Sequence, residues 1–247
     1  MGGESIRVLV NGAKGRMGQE TVKAVEAAGN LQLVGATDLA DDMASEIGRC
    51  GAQVVVDFTQ PDVAVENTRT ILHAGACPVV GTTGFRAEQI EELQAQAAEL
   101  KLGGIIAPNF AIGAVLLMKF AAEAARYFPA LEVIELHHDK KLDAPSGTAV
   151  KTIEMIRESQ PEKLPRNPEE KETVPGARGG EYLGVTVHSV RLPGFVAHEE
   201  VLFGGLGQVL SIRHDSISRE SFMPGVVLAA TKAPTLKKLH HGLETIL

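Results

Sequence analysis

Tryptophan is absent from the 247 residues and tyrosine occurs twice, too few flat side chains for a surface that stacks nucleic-acid bases. Positive charge is also scarce. With 24 Lys and Arg against 31 Asp and Glu, the net charge is −7, which argues against broad binding to nucleic acid or an anionic membrane and requires a local site for any anionic ligand. The two cysteines, Cys50 and Cys77, form no C-x-x-C pair, which suits reduced thiols and argues against a disulfide framework or a zinc site. A membrane-crossing run is missing too: the most apolar stretch, 110–127, is interrupted by Lys119, Glu123 and Arg126. Residues 1–7 show no basic flank leading into an apolar segment, so no signal peptide is expected and a cytoplasmic location is.

What is present is a globular composition, 44% hydrophobic and 22% charged, long enough for one large or two smaller domains. The first half alternates short aliphatic runs with segments of helical spacing. Strands are expected at 6–10, 31–36, 54–58, 78–80 and 104–107, with helices at 16–28, 62–74 and 86–102 between them, the pattern of βα units on a parallel sheet. Gly29 and Gly75 stand where a helix C-terminus favours glycine. After Pro108 the pattern changes. A long helix is expected at 113–128, a strand at 132–136, a helix at 148–159, a surface loop at 160–183, and then strands at 185–192, 199–203 and 208–213 in a mostly antiparallel arrangement. The last stretch, 224–247, reads as helical and able to pack on either domain.

The first strand runs into Asn11-Gly-Ala-Lys-Gly-Arg-Met-Gly18. Glycines at the turn let backbone approach a pyrophosphate, while the free N–H groups and positive end of the following helix attract its oxygens. The spacing is G-x-x-G-x-x-G, with Lys14 where the commoner fingerprint has its middle glycine, so the motif alone is weak. Its context strengthens it, because Asp38 ends the second strand about 20 residues on, where an acidic side chain accepts the adenine-ribose hydroxyls. The expected fold is therefore α/β, a Rossmann-like dinucleotide-binding domain plus an α+β domain with a mixed sheet. Asp38 favours NADH by repelling a 2′-phosphate, whereas Lys14 and Arg16 partly neutralise one.

The strand at 132–136 leads into His137-His-Asp-Lys-Lys-Leu-Asp-Ala-Pro-Ser-Gly-Thr148 and a helix. Adjacent residues on an extended chain face opposite ways, so His137 and His138 are poorly placed to share a metal, and no metal site is expected. Ser146, Gly147 and Thr148 at the helix start, with the charge of Lys141, suit a carboxylate, although Ser or Thr in that place also serves as an ordinary cap. A non-catalytic dinucleotide sensor needs the glycine loop but not this cluster. A different Rossmann oxidoreductase acting on an amino or hydroxy acid would use Asp38 equally well.

The 137–149 segment resembles the signature of the dihydrodipicolinate (4-hydroxy-tetrahydrodipicolinate) reductase family. The resemblance extends in order through Val56-Asp-Phe-Thr59, Val80-Gly-Thr-Thr-Gly84, Ala107-Pro-Asn-Phe110, Val190-Arg-Leu-Pro-Gly194, His198-Glu-Glu-Val201 and Arg213-His-Asp-Ser216. It implies reduction of a cyclic, imine-bearing dicarboxylate on the diaminopimelate route to lysine, with NADH and/or NADPH and no metal. By the same resemblance Gly12, Ala13, Lys14, Gly15, Arg16, Met17 and Asp38 bind the adenosine and pyrophosphate end of the cofactor. Gly81, Thr82 and Thr83, with Ala107, Pro108, Asn109 and Phe110, line the nicotinamide side. His137 and Lys141 are the catalytic acid–base pair, and His138, Lys141, Ser146, Gly147 and Thr148 contact substrate; Arg219 lies near a substrate-contacting arginine of some members. The implied organisation is a dinucleotide domain of residues 1–109 and 218–247, a substrate-binding and oligomerisation domain of 110–217, and a cytoplasmic homotetramer. Leu39 departs from members that carry arginine after the acidic residue, which leaves the NADH/NADPH preference open. Lys140 is expected to face solvent.

Overall fold

Residues 5–160, 162, 169 and 171–247 are described by the computed structural model of the protein. Parts of the sequence readings at 1–7 and at the 160–183 loop therefore lie outside the described residues. The chain divides into two units, Met1–Ile112 with Arg219–Leu247, and Gly113–Ser218.

The first unit opens β1 (Ile6–Asn11), α1 (Arg16–Ala27), β2 (Leu31–Thr37), α2 (Met43–Cys50), β3 (Val54–Asp57), α3 (Pro61–His73), β4 (Cys77–Val80), α4 (Ala87–Glu99), β5 (Gly104–Ile106). Strands β3 and β4 are buried at every residue and β1 from Val8 onward, as expected where helices cover both faces of a parallel sheet. Helix α2 was not anticipated. Asp42 caps its start by accepting from the Ser45 N–H, and left-handed Gly51 ends it. Gly75 is also left-handed after α3, whereas α1 ends on extended Ala28 and Gly29 has no positive φ, so the expected glycine stop of α1 is not realised.

The second unit carries most of α5 (Ile112–Ala125), then β6 (Ala130–His137), α6 (Gly147–Ser159), β7 (Gly180–Tyr182), β8 (Val185–Arg191), β9 (Ala197–Gly205) and β10 (Gln208–Ser216). Its sheet has the order β10-β9-β6-β8-β7. Strands β6 and β8 are parallel and the other pairs antiparallel, a mixed sheet. Strand β7 falls in the stretch expected to be loop; its three residues pair with Val185–Val187 of β8. The inner face of the sheet places Leu131, Val133, Val187, Val201 and Phe203 against Leu117, Ala121, Ile153 and Ile156 of α5 and α6. Burying aliphatic surface of this kind contributes about 25 cal/mol for each Å² removed from water.

The chain then returns to the first unit with α7 (Met223–Lys232) and β11 (Leu239–His241). The expectation of helix throughout 224–247 is thus corrected. A 3₁₀ turn at Ala233–Thr235 follows α7, with Pro234 unable to donate the hydrogen bond that a continuing helix needs. Leu239, fully buried, then pairs with Gly104 of β5. The completed parallel sheet has the order β11-β5-β4-β3-β1-β2.

Candidate functional site

In the first unit every residue expected to hold the cofactor lies just beyond the carboxyl end of a strand. Gly12 to Met17 follow β1 and open α1, Asp38 follows β2, Gly81 to Thr83 follow β4, and Ala107 to Phe110 follow β5. Strands β2 and β3 flank β1, so the order reverses there, and open α/β sheets bind ligands beyond the strand ends at such a switch point.

The glycine turn is shaped by close backbone approach. Gly12 has φ +78°, and a Cβ on it would sit 2.7 Å from the Phe58 carbonyl oxygen. A Cβ on Gly18 would lie 2.1 Å from the Gly12 carbonyl oxygen. The α1 N-cap is Gly15, and no side chain caps the first turn. Amide groups presented without a side-chain acceptor fit an anionic pyrophosphate. The Asp38 carboxylate accepts from the Lys14 N–H at 2.9 Å and from its neighbour Leu39 at 2.9 Å. These backbone bonds, Leu39 first, hold its pKa below the usual carboxylate range, so it stays ionised where a ribose would be read.

Some expected cofactor residues are inside the fold. Thr82 is buried, with its hydroxyl 3.4 Å from Asp57 Oδ1 and 3.3 Å from the Thr59 carbonyl. Phe110 is buried and meets Phe58 edge-on, with ring centroids 5.9 Å apart. Pro108 and Thr83 are exposed, and Asn109 is half-buried with its Oδ1 accepting from the Ala111 N–H.

Fully buried Asp57 is the hub of this strand-end region, a role the sequence reading did not assign. It accepts from Asn11 Nδ2 at 2.8 Å, Asn67 Nδ2 at 2.9 Å, and the Thr59 N–H and hydroxyl at 3.0 and 2.7 Å, while Asn11 in turn accepts from Thr37. One carboxylate thus ties together the ends of β1, β2 and β3 and the turn after β4. A buried charge is tolerated when donors saturate it in this way.

The second unit brings the His–Lys segment to the start of α6. His137 ends β6, and the chain turns so that the Lys141 N–H donates to the His138 carbonyl. Lys141 Nζ is 2.8 Å from Asp143 Oδ1 and its side chain is one-fifth exposed. Burial opposes ionisation of Asp143, but the Lys141 bond, a backbone hydrogen bond and the charges of Lys141 and Arg191 together outweigh it and hold the Asp143 pKa low. Lys140 is exposed. Ser146 caps α6 by accepting from the Ala149 N–H, so its hydroxyl is engaged in capping. Gly147 is exposed with open space on its Cβ side, and Thr148 is half-buried in the first turn. Arg219 begins the 3₁₀ turn Arg219–Phe222 and belongs to the first unit.

Behind His137 lies a group that the sequence reading passed over. Glu135 is fully buried, with Oε2 2.5 Å from His137 Nδ1 and both oxygens bonded by the Arg191 guanidinium at 2.8 and 2.7 Å. The Ser146 N–H, at the positive end of α6, adds a fourth donor at 3.2 Å. Burial alone would raise the Glu135 pKa, but the bonds from His137, Arg191 and Ser189 outweigh it and hold it at about 2. The signal was present in strand parity. Leu131, Val133, Glu135 and His137 share one face of β6, and an acid on a core-facing register must be paired. Among the described residues no group of three or more His, Cys, Asp or Glu is arranged to hold a metal, and no helix is long and apolar enough to cross a membrane.

A Rossmann-like parallel sheet with an uncapped glycine turn, in one chain with a titratable His–Lys cluster on a separate mixed sheet, is the make-up of a dinucleotide-dependent oxidoreductase. Family models described as dihydrodipicolinate reductase, N-terminus, and dihydrodipicolinate reductase, C-terminus, match residues 6–110 and 113–247. The chain is 52% identical over 254 residues to a 4-hydroxy-tetrahydrodipicolinate reductase of Streptococcus sanguinis, covering 98% of this chain and 100% of that protein. It is 50% identical over 258 residues to the one of Enterococcus faecalis, with 98% and 100% covered. A dihydrodipicolinate reductase from Paenisporosarcina sp. TG-14, solved with dipicolinate bound, superposes with a TM-score of 0.90 at 45% identity, covering 98% of this chain and 100% of that one. The chain belongs to the dihydrodipicolinate reductase family. The family and the fold together imply a nicotinamide dinucleotide cofactor, and the uncapped α1 start beside Gly12 fits its pyrophosphate.

Proposed function

We propose that this reductase converts 4-hydroxy-tetrahydrodipicolinate to tetrahydrodipicolinate, with Lys141 as proton donor and His137 as the group that holds and passes the proton. The observation that carries the reading is the grouping of the Lys141 ammonium, the Glu135-anchored His137 imidazole and the α6 N-terminus within one unit. In the net reaction the substrate, a reduced dinucleotide and one proton give tetrahydrodipicolinate, the oxidised dinucleotide and water. The bound dinucleotide supplies the hydride to the ring carbon that loses its hydroxyl.

The chain's own residues manage the charge. As a hydride adds to a conjugated imine, negative charge moves toward the ring nitrogen, and an ammonium beside it both stabilises that charge and supplies a proton. Lys141 fills this role, with the Asp143 carboxylate holding the ammonium until a substrate carboxylate competes for it. His137 relays the proton, as an imidazole is suited to do near neutral pH. His138, Ser146, Gly147 and Thr148 are proposed to contact the substrate, with the amides and positive end of the α6 start favouring a carboxylate. The cofactor is proposed to be held by Gly12, Ala13, Lys14, Gly15, Arg16, Met17 and Asp38 at its adenosine end, and by the turns at 81–83 and 107–110 at its nicotinamide end. Ionised Asp38 supports a preference for NADH, while Lys14 and Arg16 keep NADPH in use.

The same reading includes a homotetramer in the cytoplasm. Leu206 and Val209, exposed in the β9–β10 hairpin, support assembly through the second unit, and sedimentation velocity tests it. The activity itself is tested by adding fresh product of the preceding aldol-type synthase and following loss of reduced-nicotinamide absorbance. Substrate-dependent oxidation is expected. No oxidation of either NADH or NADPH would overturn the assignment.

A further inference from the structure

Glu135 accepts five hydrogen bonds on two oxygens, from His137, twice from Arg191, from the Ser146 N–H and from Ser189. An ionised carboxylate only accepts, so the imidazole nitrogen 2.5 Å away must be the donor, and the proton of neutral His137 sits on Nδ1. The opposite nitrogen, Nε2, then keeps its lone pair. The arrangement is rigid for three reasons. Glu135 and His137 are two residues apart on one face of β6. Opposite them in β8 stand Ser189 and Arg191, of which Ser189 also bonds Glu135. Arg191 is itself held by the carbonyls of Val190 and Asp143, at 2.8 and 2.7 Å.

We propose that Glu135, clamped by Arg191, is a positioning residue for the reduction: it fixes His137 as the Nδ1–H tautomer and so makes Nε2 the nitrogen that receives and returns the proton. The inference rests on the proposed role of His137. Packing alone does not require the charge, because an apolar side chain beside Val133 would continue the inner core, and a buried ion pair is seldom more stabilising than the hydrophobic residues that could replace it. Without the anchor, the ring is free to take the Nε2–H tautomer, in which Nε2 can donate but cannot accept. An imidazole oriented by a carboxylate through its other nitrogen is a recurrent solution in acid–base catalysis.

The test uses the full chain labelled with ¹⁵N-histidine, with the His137 resonances assigned by their disappearance in His137→Gln. Nitrogen shifts distinguish the tautomers directly. The wild type is expected to show Nδ1–H, and Glu135→Gln, which offers one acceptor oxygen where five hydrogen bonds converge, is expected to move His137 toward Nε2–H. Turnover in that variant should fall about 10²-fold while NADH affinity, read by cofactor fluorescence, stays unchanged. If Glu135→Gln does not fold, Glu135→Asp keeps a negative charge for Arg191 but is one methylene too short to reach His137 Nδ1, and is expected to move the tautomer in the same direction. A wild type found as Nε2–H, or a Glu135→Gln that keeps both the Nδ1–H tautomer and its turnover, overturns the inference. Wild-type turnover in His137→Gln would instead remove His137 from the mechanism, so the two failures are distinct.

Discussion

Glu199 stands directly opposite Glu135 in the β6–β9 ladder, and the two buried carboxylates are driven to opposite protonation states. Burial, opposed by a hydrogen bond from Thr152 and helped by the charge of Glu135, pushes the Glu199 pKa up to about 7. One Glu199 oxygen, Oε1, has no hydrogen-bond partner. The cations and N–H donors all converge on Glu135, which keeps the negative charge, while its neighbour holds a proton until pH rises through about 7. Like-charged carboxylates in one site cannot both ionise cheaply.

This asymmetry makes a signed prediction for stability. Glu199 is raised from an ordinary value of 4.5 to about 7 in the folded state. Its contribution is therefore complete below about pH 4.5 and is lost as pH rises through about 7, a loss on the order of 3 kcal/mol. In urea unfolding, Glu199→Gln should remove this loss, so that the wild-type-minus-variant stability falls by that order between about pH 5 and pH 8. A difference that does not move with pH would mean that Glu199 ionises as freely in the fold as in the unfolded chain. The Glu135 contribution has the opposite sign, present above about pH 4.5 and lost as pH falls toward about 2.

Replacing Lys141 by Ala removes the ammonium paired with Asp143. Turnover should drop roughly 10²- to 10⁴-fold, the range for a lost proton transfer, with little change in NADH affinity. Steady-state kinetics with a separate cofactor titration checks this, and unchanged turnover would exclude Lys141 as the donor.

Asp38→Ala takes away the carboxylate that the Lys14 and Leu39 amides hold in ionised form. Any preference for NADH over NADPH should narrow, because the group that repels a 2′-phosphate is gone. The readout is the ratio of the two kcat/KM values; an unaltered ratio would mean that Asp38 does not read the ribose.

Gly18→Ala places a Cβ 2.1 Å from the Gly12 carbonyl and 2.7 Å from the Ala13 Cα, both backbone atoms that cannot swing aside. We expect a loss of about 1–3 kcal/mol in stability, seen as a lower Tm, together with weakened dinucleotide binding. Gly29→Ala is the control: nothing lies within 4 Å of a Cβ there and φ is not positive, so stability should hold or rise slightly.

The parts of the fold that the sequence made readable are those where one local rule suffices. Val54 to Val56 is a run of β-branched residues, and Gly12 to Gly18 needs only a strand before it and a helix after it. Strands β7 and β11 have three residues each, too short to show a period, and exist because the edges of β8 and β5 were available to pair with. Pro-free spacing after Pro234 still looks helical, yet buried Leu239 is drawn into the sheet. Helix α2 had legible ends in Asp42 and Gly51, but its eight residues lack a long apolar stripe. In the candidate site, His137 and Lys141 stood out as titratable groups near a helix start. Glu135 did not, because its importance lies in what β8 and α6 bring to it, and only the alternation of β6 hinted that it faces inward.

Strand β11 also has a consequence for how the chain is made. The parallel sheet of the first unit takes one outer strand from residues 239–241, more than a hundred residues after β5 has been synthesised. During translation all of Gly113–Ser218 leaves the ribosome before that sheet can close, so the inserted unit has the opportunity to fold while the edge of β5 is still bare. The first unit, whose beginning is written earliest in the message, is the last to be finished.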